Sequence, residues 1–109
     1  MPNGPWKRPA DDGEAMVFAL KHPVRRKLLR VYVDGVHSPT QSARRLGEDL
    51  HLVAYHSRAL NFYGLIELVE TKPSRGSTQH FYRATDLGWR ALELGERTGM
   101  IEGGEAQPG

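Results

Sequence analysis

Ser38-Pro39-Thr40-Gln41 constrains the fold of this chain more than any other stretch. Serine at an N-cap accepts a hydrogen bond from a first-turn amide, proline fits the first helical position, and glutamine at the third can bond back to the cap. A helix is therefore expected to start at Pro39. It runs through Ala43 and Leu46 to Gly47, which can take the left-handed conformation that stops a helix, and Asp49 can then cap a second one. Helix, short turn, helix is the spacing of a helix-turn-helix.

The second helix of that pair is DLHLVAYHSRALNFYG, expected to be helical from about Leu50 to Tyr63. At roughly 100° per residue, His51, Tyr55, Arg58 and Phe62 fall within about 60° of one another. Val53 and Leu60 lie opposite, with His56 and Ser57 flanking them. A guanidinium can donate in pairs to guanine O6 and N7, a phenol can meet a phosphate or a thymine methyl, and the first turn of a recognition helix is where it enters the major groove. His51, Leu52, Tyr55 and Arg58 are thus candidate DNA contacts, joined by Thr40 and Gln41 at the start of the preceding helix. Two other chemistries fit poorly. His51 and His56 are about 140° apart around the helix, so they cannot chelate one ion. A general base needs an orienting acid, and Asp49 is already taken as a cap. His56 reads as a hydrogen-bonded structural residue, and Phe62 and Tyr63 as packing residues.

After Gly64 the period changes from 3.6 to 2. LIELVETKPSRGSTQHFYRA alternates Ile66, Leu68 and Phe81 with polar residues around a Pro73-to-Ser77 turn, the pattern of a β-hairpin. A hairpin placed directly after a helix-turn-helix is a wing, and Lys72 and Arg75 at its tip would reach phosphates or the minor groove. Upstream, Pro23 to about Val33 forms a helix with a Val24, Leu28, Val31 stripe, preceded by a short amphipathic segment, Gly13 to Lys21. Thr85 or Asp86 caps a last helix whose stripe is Leu87, Ala91 and Leu94. The face Met16, Ala19 and Leu20 of the first helix has no obvious partner in so small a domain. Met16, Leu20, Leu87, Ala91 and Leu94 are therefore expected to form a seam between two copies. The fold class is mainly α with a small β-hairpin: one winged helix-turn-helix domain over residues 13–97, between disordered segments 1–12 and 98–109.

Charge agrees with a polyanionic partner. The net charge is only +2, yet from Lys21 to Arg90 there are twelve Lys/Arg against six Asp/Glu. A chain of 109 residues with 39% hydrophobic and 26% charged residues suits one globular domain, and the absence of cysteine removes disulfides and thiolate metal sites. No apolar run approaches a membrane span and the N-terminus lacks a signal core, so a cytoplasmic location is expected.

HPVRRKLL, QSARRLGEDLHLVAYHSRALNFYGLIELV and HFYRAT, in that order and spacing, resemble the ArsR-type winged-helix transcriptional regulators over about residues 14 to 95. Shared features are the His-Pro opening of a helix, Leu46-Gly47 at the turn, Tyr55-His56 within the recognition helix, and Gly64-Leu65-Ile66 leading into the wing. The resemblance implies a homodimer on an inverted-repeat operator of double-stranded DNA, usually a repressor. Metal-sensing members carry a cysteine in the recognition helix or His and Asp ligands on the last helix. This chain has no cysteine and no histidine after His80, so no metal or other cofactor is expected, and any effector would sit at a dimer interface. Ser57 stands where the family usually has leucine. The alternative reading is a winged helix used for protein interaction, its basic face merely solvated.

Overall fold

The structure is a computed structural model, and it describes residues 6–102. Five helices and one hairpin follow in the order α1 (Asp12–Leu20), α2 (Pro23–Asp34), α3 (Pro39–Leu46), α4 (Leu50–Phe62), β1 (Ile66–Ser74), β2 (Ser77–Ala84) and α5 (Asp86–Arg97). The capping box at Ser38 is complete: Gln41 N–H donates to Ser38 Oγ at 3.1 Å and Ser38 N–H to Gln41 Oε1 at 3.0 Å. Gly47 closes α3 at φ 66°, and the Asp49 carboxylate accepts from Leu52 N–H at 3.1 Å to start α4. Thr85 Oγ1 likewise accepts from Gly88 N–H at 3.2 Å at the start of α5.

The core is built from the inner faces of all five helices and the base of the hairpin, with Leu28, Leu29, Tyr32, Val53, Leu60, Leu65 and Ile66 almost fully buried. Ser38, Ser42, His56 and Ser57 are the polar side chains buried with it among the described residues. The Tyr32 hydroxyl and Ser57 Oγ share a hydrogen bond of 2.8 Å, so the serine at this unusual position is the partner of a buried phenol from α2. Burial raises the Tyr32 pKa above its ordinary value, and bonds to Ser42 and Ser57 only partly offset that rise.

The structure bears on three expectations. The apolar face of α1 has a partner within its own chain: α5 packs on it, Leu20 and Ala91 are buried in the common core, and Met16, Leu87 and Leu94 are half-buried against it. The face is therefore not left without a partner, because α5 returns across α1 within one chain. The disorder expected from residue 98 does not hold as far as Glu102, because Ile101 docks against Leu20 and the Cβ-free edge of Gly95, and its N–H bonds to Gly95 O at 2.9 Å. Within the segment 1–12 expected to be disordered, the Trp6 ring packs on Tyr55 and Phe62 of α4. Residues 1–5 and 103–109, expected to be disordered, lie outside the described residues.

The hairpin departs from simple alternation. Only Ile66 of β1 is buried, and Leu68 and Val69 are exposed around a register shift between Leu68 and Glu70, because no layer covers a two-stranded sheet. Its base is pinned instead. His37 and Tyr82 exchange backbone hydrogen bonds of 3.0 and 2.9 Å, tying β2 to the segment that leads into α3. At the tip Arg75 (φ 48°) and Gly76 (φ 82°) make a two-residue turn with both residues left-handed, which matches the twist of the strands.

Candidate nucleic-acid interface

Helix α4 presents one outward face. Taken at roughly 100° per residue, Leu50 and Ala54 lie on one side of it, Arg58 and His51 at its crest, and Tyr55 and Phe62 on the other side. The first side meets the wing. Leu50, His51, Ala54 and Arg58 line a cleft of about 410 Å³ whose other walls are Pro39 and Thr40 of α3 and Ser77, Thr78, Gln79, His80 and Tyr82 of β2. Helix α4, the start of α3 and one face of β2 therefore converge on one concave surface.

Of the candidate residues, the structure brings Thr40, His51 and Arg58 together here. Burial raises the Tyr82 phenol above its usual pKa, and the positive charge of Arg58 beside it opposes that shift. Gln41 is exposed, but its Oε1 is committed to the cap, leaving only its NH₂ to donate outward. Leu52 and Tyr55, each a little over one third exposed, lie outside the cleft, and the Tyr55 ring has Trp6 against it at 5.4 Å. Lys72 and Arg75 are exposed on the wing beyond the cleft. Lys72 lies over the Phe81 ring at 5.2 Å with Glu70 at 3.9 Å, while Arg75 makes no ion pair among the described residues. Arg75 holds a left-handed backbone that ordinarily favours glycine, as the first residue of the two-residue turn requires.

Reading the wing by its apolar residues missed the polar ones that matter. Thr78, His80 and Tyr82 share one face by the period of two, and the His80 and Tyr82 rings are nearly parallel at 6.4 Å. That alternation was the available signal. Trp6 had none, since nothing periodic surrounds it.

Behind the outward face, His56 is only 4% exposed. Its Nδ1 accepts from Arg25 Nε at 3.2 Å, and the His22 ring lies 4.3 Å away. Burial first, then the charges of His22 and Arg25, pull its pKa from 6.5 down to about 4. His56 is thus a neutral buried acceptor. The Arg25 guanidinium also donates to Phe18 O at 2.6 Å and stacks 3.7 Å over the Phe18 ring, linking α1, α2 and α4. Among the described residues no group of three or more His, Asp or Glu side chains is placed to hold a metal ion, and no helix is long and apolar enough to cross a membrane.

No protein-family profile and no curated protein sequence matches this chain. Solved structures do. Reduced HlyU from Vibrio cholerae superposes with a TM-score of 0.61 at 19% identity, covering 80% of this chain and 87% of that one. The transcriptional repressor BigR from Xylella fastidiosa gives 0.58 at 24% identity over 83% and 86%. The homodimeric winged helix-turn-helix DNA-binding domain Mb0332 from Mycobacterium bovis, described as a possible ArsR-family regulator, gives 0.59 at 18% over 87% and 89%. The fold is a winged helix-turn-helix. In its terms α3 and α4 are the helix-turn-helix, α4 takes the position of the recognition helix, and β1 and β2 form the wing.

Proposed function

We propose that this protein binds double-stranded DNA in a sequence-specific manner and regulates transcription as a homodimer, repressing from an inverted-repeat operator, in the cytoplasm. The observation that carries the reading is the cleft itself: Arg58 and His51 stand at the crest of the recognition helix, and the same surface continues onto Thr40 and the polar edge of the wing. Arg58 is the principal base-reading group, and Lys72 and Arg75 are the backbone or minor-groove contacts of the wing. Support also comes from relatives by fold, one described as a transcriptional repressor and another as a homodimeric DNA-binding domain. For the dimer, Val17 on α1 and Trp89 on α5 are each about half exposed (53% and 52%), so the terminal helices still offer apolar surface after packing on each other. Half-buried Met16, Leu87 and Leu94 contribute at its margin, whereas buried Leu20 and Ala91 support it from within.

Enrichment of bound duplexes from a random library tests this reading. The expected result is convergence on a two-fold related sequence whose affinity falls steeply as salt is raised from about 50 to 200 mM. A pool that stays random, with no salt-dependent binding, favours the protein-interaction module.

A further inference from the structure

The side of α4 away from the wing is covered by the N-terminal segment. Trp6 lies 5.4 Å from the Tyr55 ring and 5.8 Å from Phe62, ring centroid to ring centroid. Both partners belong to the outward face, so the contact lies beside the reading surface and not behind it. The segment is held at its other end too. Asp11 caps α1 by accepting from Glu14 N–H at 2.9 Å, and the Glu14 carboxylate accepts from Ala10 N–H. Between these two anchors run Lys7 and Arg8, both exposed and neither in an ion pair among the described residues. With Val17, Phe18 and Lys21 of α1 and with Tyr63 at the end of α4, they line a cavity of about 300 Å³ where Glu14 is the only acid. Its charge is therefore cationic. Aromatic contacts of this kind add to burial and bias a short segment toward one placement.

Lys72 and Arg75 thus lie on the wing at one side of α4, and on the other side Trp6 docks on the helix with Lys7 and Arg8 following it toward α1. A helix seated in a major groove has a phosphate backbone along both of its sides, so both flanks suit the same polyanion. We propose that Trp6, Lys7 and Arg8 form an arm that extends the DNA-binding surface, with Lys7 and Arg8 contacting phosphates and Trp6 as the positioning residue that docks the arm on Tyr55 and Phe62. The proposal rests on the DNA-binding reading above and adds to it a contact outside the helix-turn-helix and the wing.

The test uses the full chain and a fluorescein-labelled mixed-sequence duplex of about 30 base pairs, followed by anisotropy across a salt series, because phosphate contacts are independent of sequence. In the double variant Lys7→Ala with Arg8→Ala, the plot of log affinity against log salt should be shallower by about two, with the melting temperature unchanged. Trp6→Ala should show most of the same loss of slope, and Trp6→Phe should restore it. A double variant with the wild-type slope, or one that binds more tightly, overturns the arm. If Trp6→Ala keeps the full slope, its positioning role is overturned. Wild-type protein with no salt-dependent binding would remove the DNA-binding reading and the arm together, an outcome distinct from a binding protein whose arm variants are silent.

Discussion

Acidification should destabilise this protein through one buried histidine. His56 titrates at about 4 in the folded state against 6.5 when unfolded, because protonation would charge a buried ring that already faces the Arg25 guanidinium and His22. The folded pKa is the lower one, so the unfolded chain takes up the proton first. Stability is then complete above about pH 6.5 and is lost as pH falls toward 4. The full difference corresponds to about 3 kcal/mol, and between about pH 7.5 and pH 5 the loss is about 2 kcal/mol. For a domain of this size that lowers the melting temperature by roughly 8 to 16 °C. Replacing His56 with Gln keeps an acceptor for Arg25 and removes the titration. Thermal melts by circular dichroism at several pH values, for wild type and His56→Gln, should show a steep pH dependence that is largely flattened in the variant. Equal pH dependence in both proteins, or an imidazole that titrates near 6.5 by NMR in the folded state, would refute the reasoning.

Three further outcomes follow from the packing. Gly88→Ala should destabilise by about 3 kcal/mol in urea titrations, since a Cβ there would sit 2.2 Å from Leu65 O, a backbone atom with little room to retreat; a neutral effect would mean that α5 can shift away from the hairpin base. Tyr32→Phe should cost about 1 to 2 kcal/mol by the same measurement, because it strips Ser57 of its partner inside the core. Trp89→Glu should shift a dimer to monomer in sedimentation at micromolar concentration with little change in melting temperature, as the ring is half exposed within one chain; a persistent dimer places the seam elsewhere.

What could be read from the sequence was what local chemistry decides. The borders of α3 and α4 depend on Ser38, Gln41, Gly47 and Asp49 acting within a few residues of themselves, and the structure places both helices within a residue of expectation. His56 was legible for a similar reason, since helical period alone puts it on the flank of the Val53–Leu60 face. Ser57 could be marked as unusual but not explained, because its partner Tyr32 comes from another helix. That α1 has a partner in α5 of its own chain could not be read, since no local signal says that the last helix folds back onto the first. Within the site, Thr40, His51 and Arg58 were found from their positions on α3 and α4. Gln79 and His80 were not, because their closeness to α4 depends on the His37–Tyr82 bridge that sets the angle of the wing. Trp6 depends on a tertiary contact alone.

Base reading by Arg58 is tested most directly by comparing wild type and Arg58→Ala on a library-enriched duplex and on a scrambled duplex of the same composition at one salt concentration. The expected result is a loss of about 1 to 3 kcal/mol on the enriched duplex and much less on the scrambled one, with preference relaxed at one base pair of each half-site. An equal loss on both duplexes would make Arg58 a phosphate contact, and wild-type protein that does not distinguish the two would contradict sequence-specific binding itself.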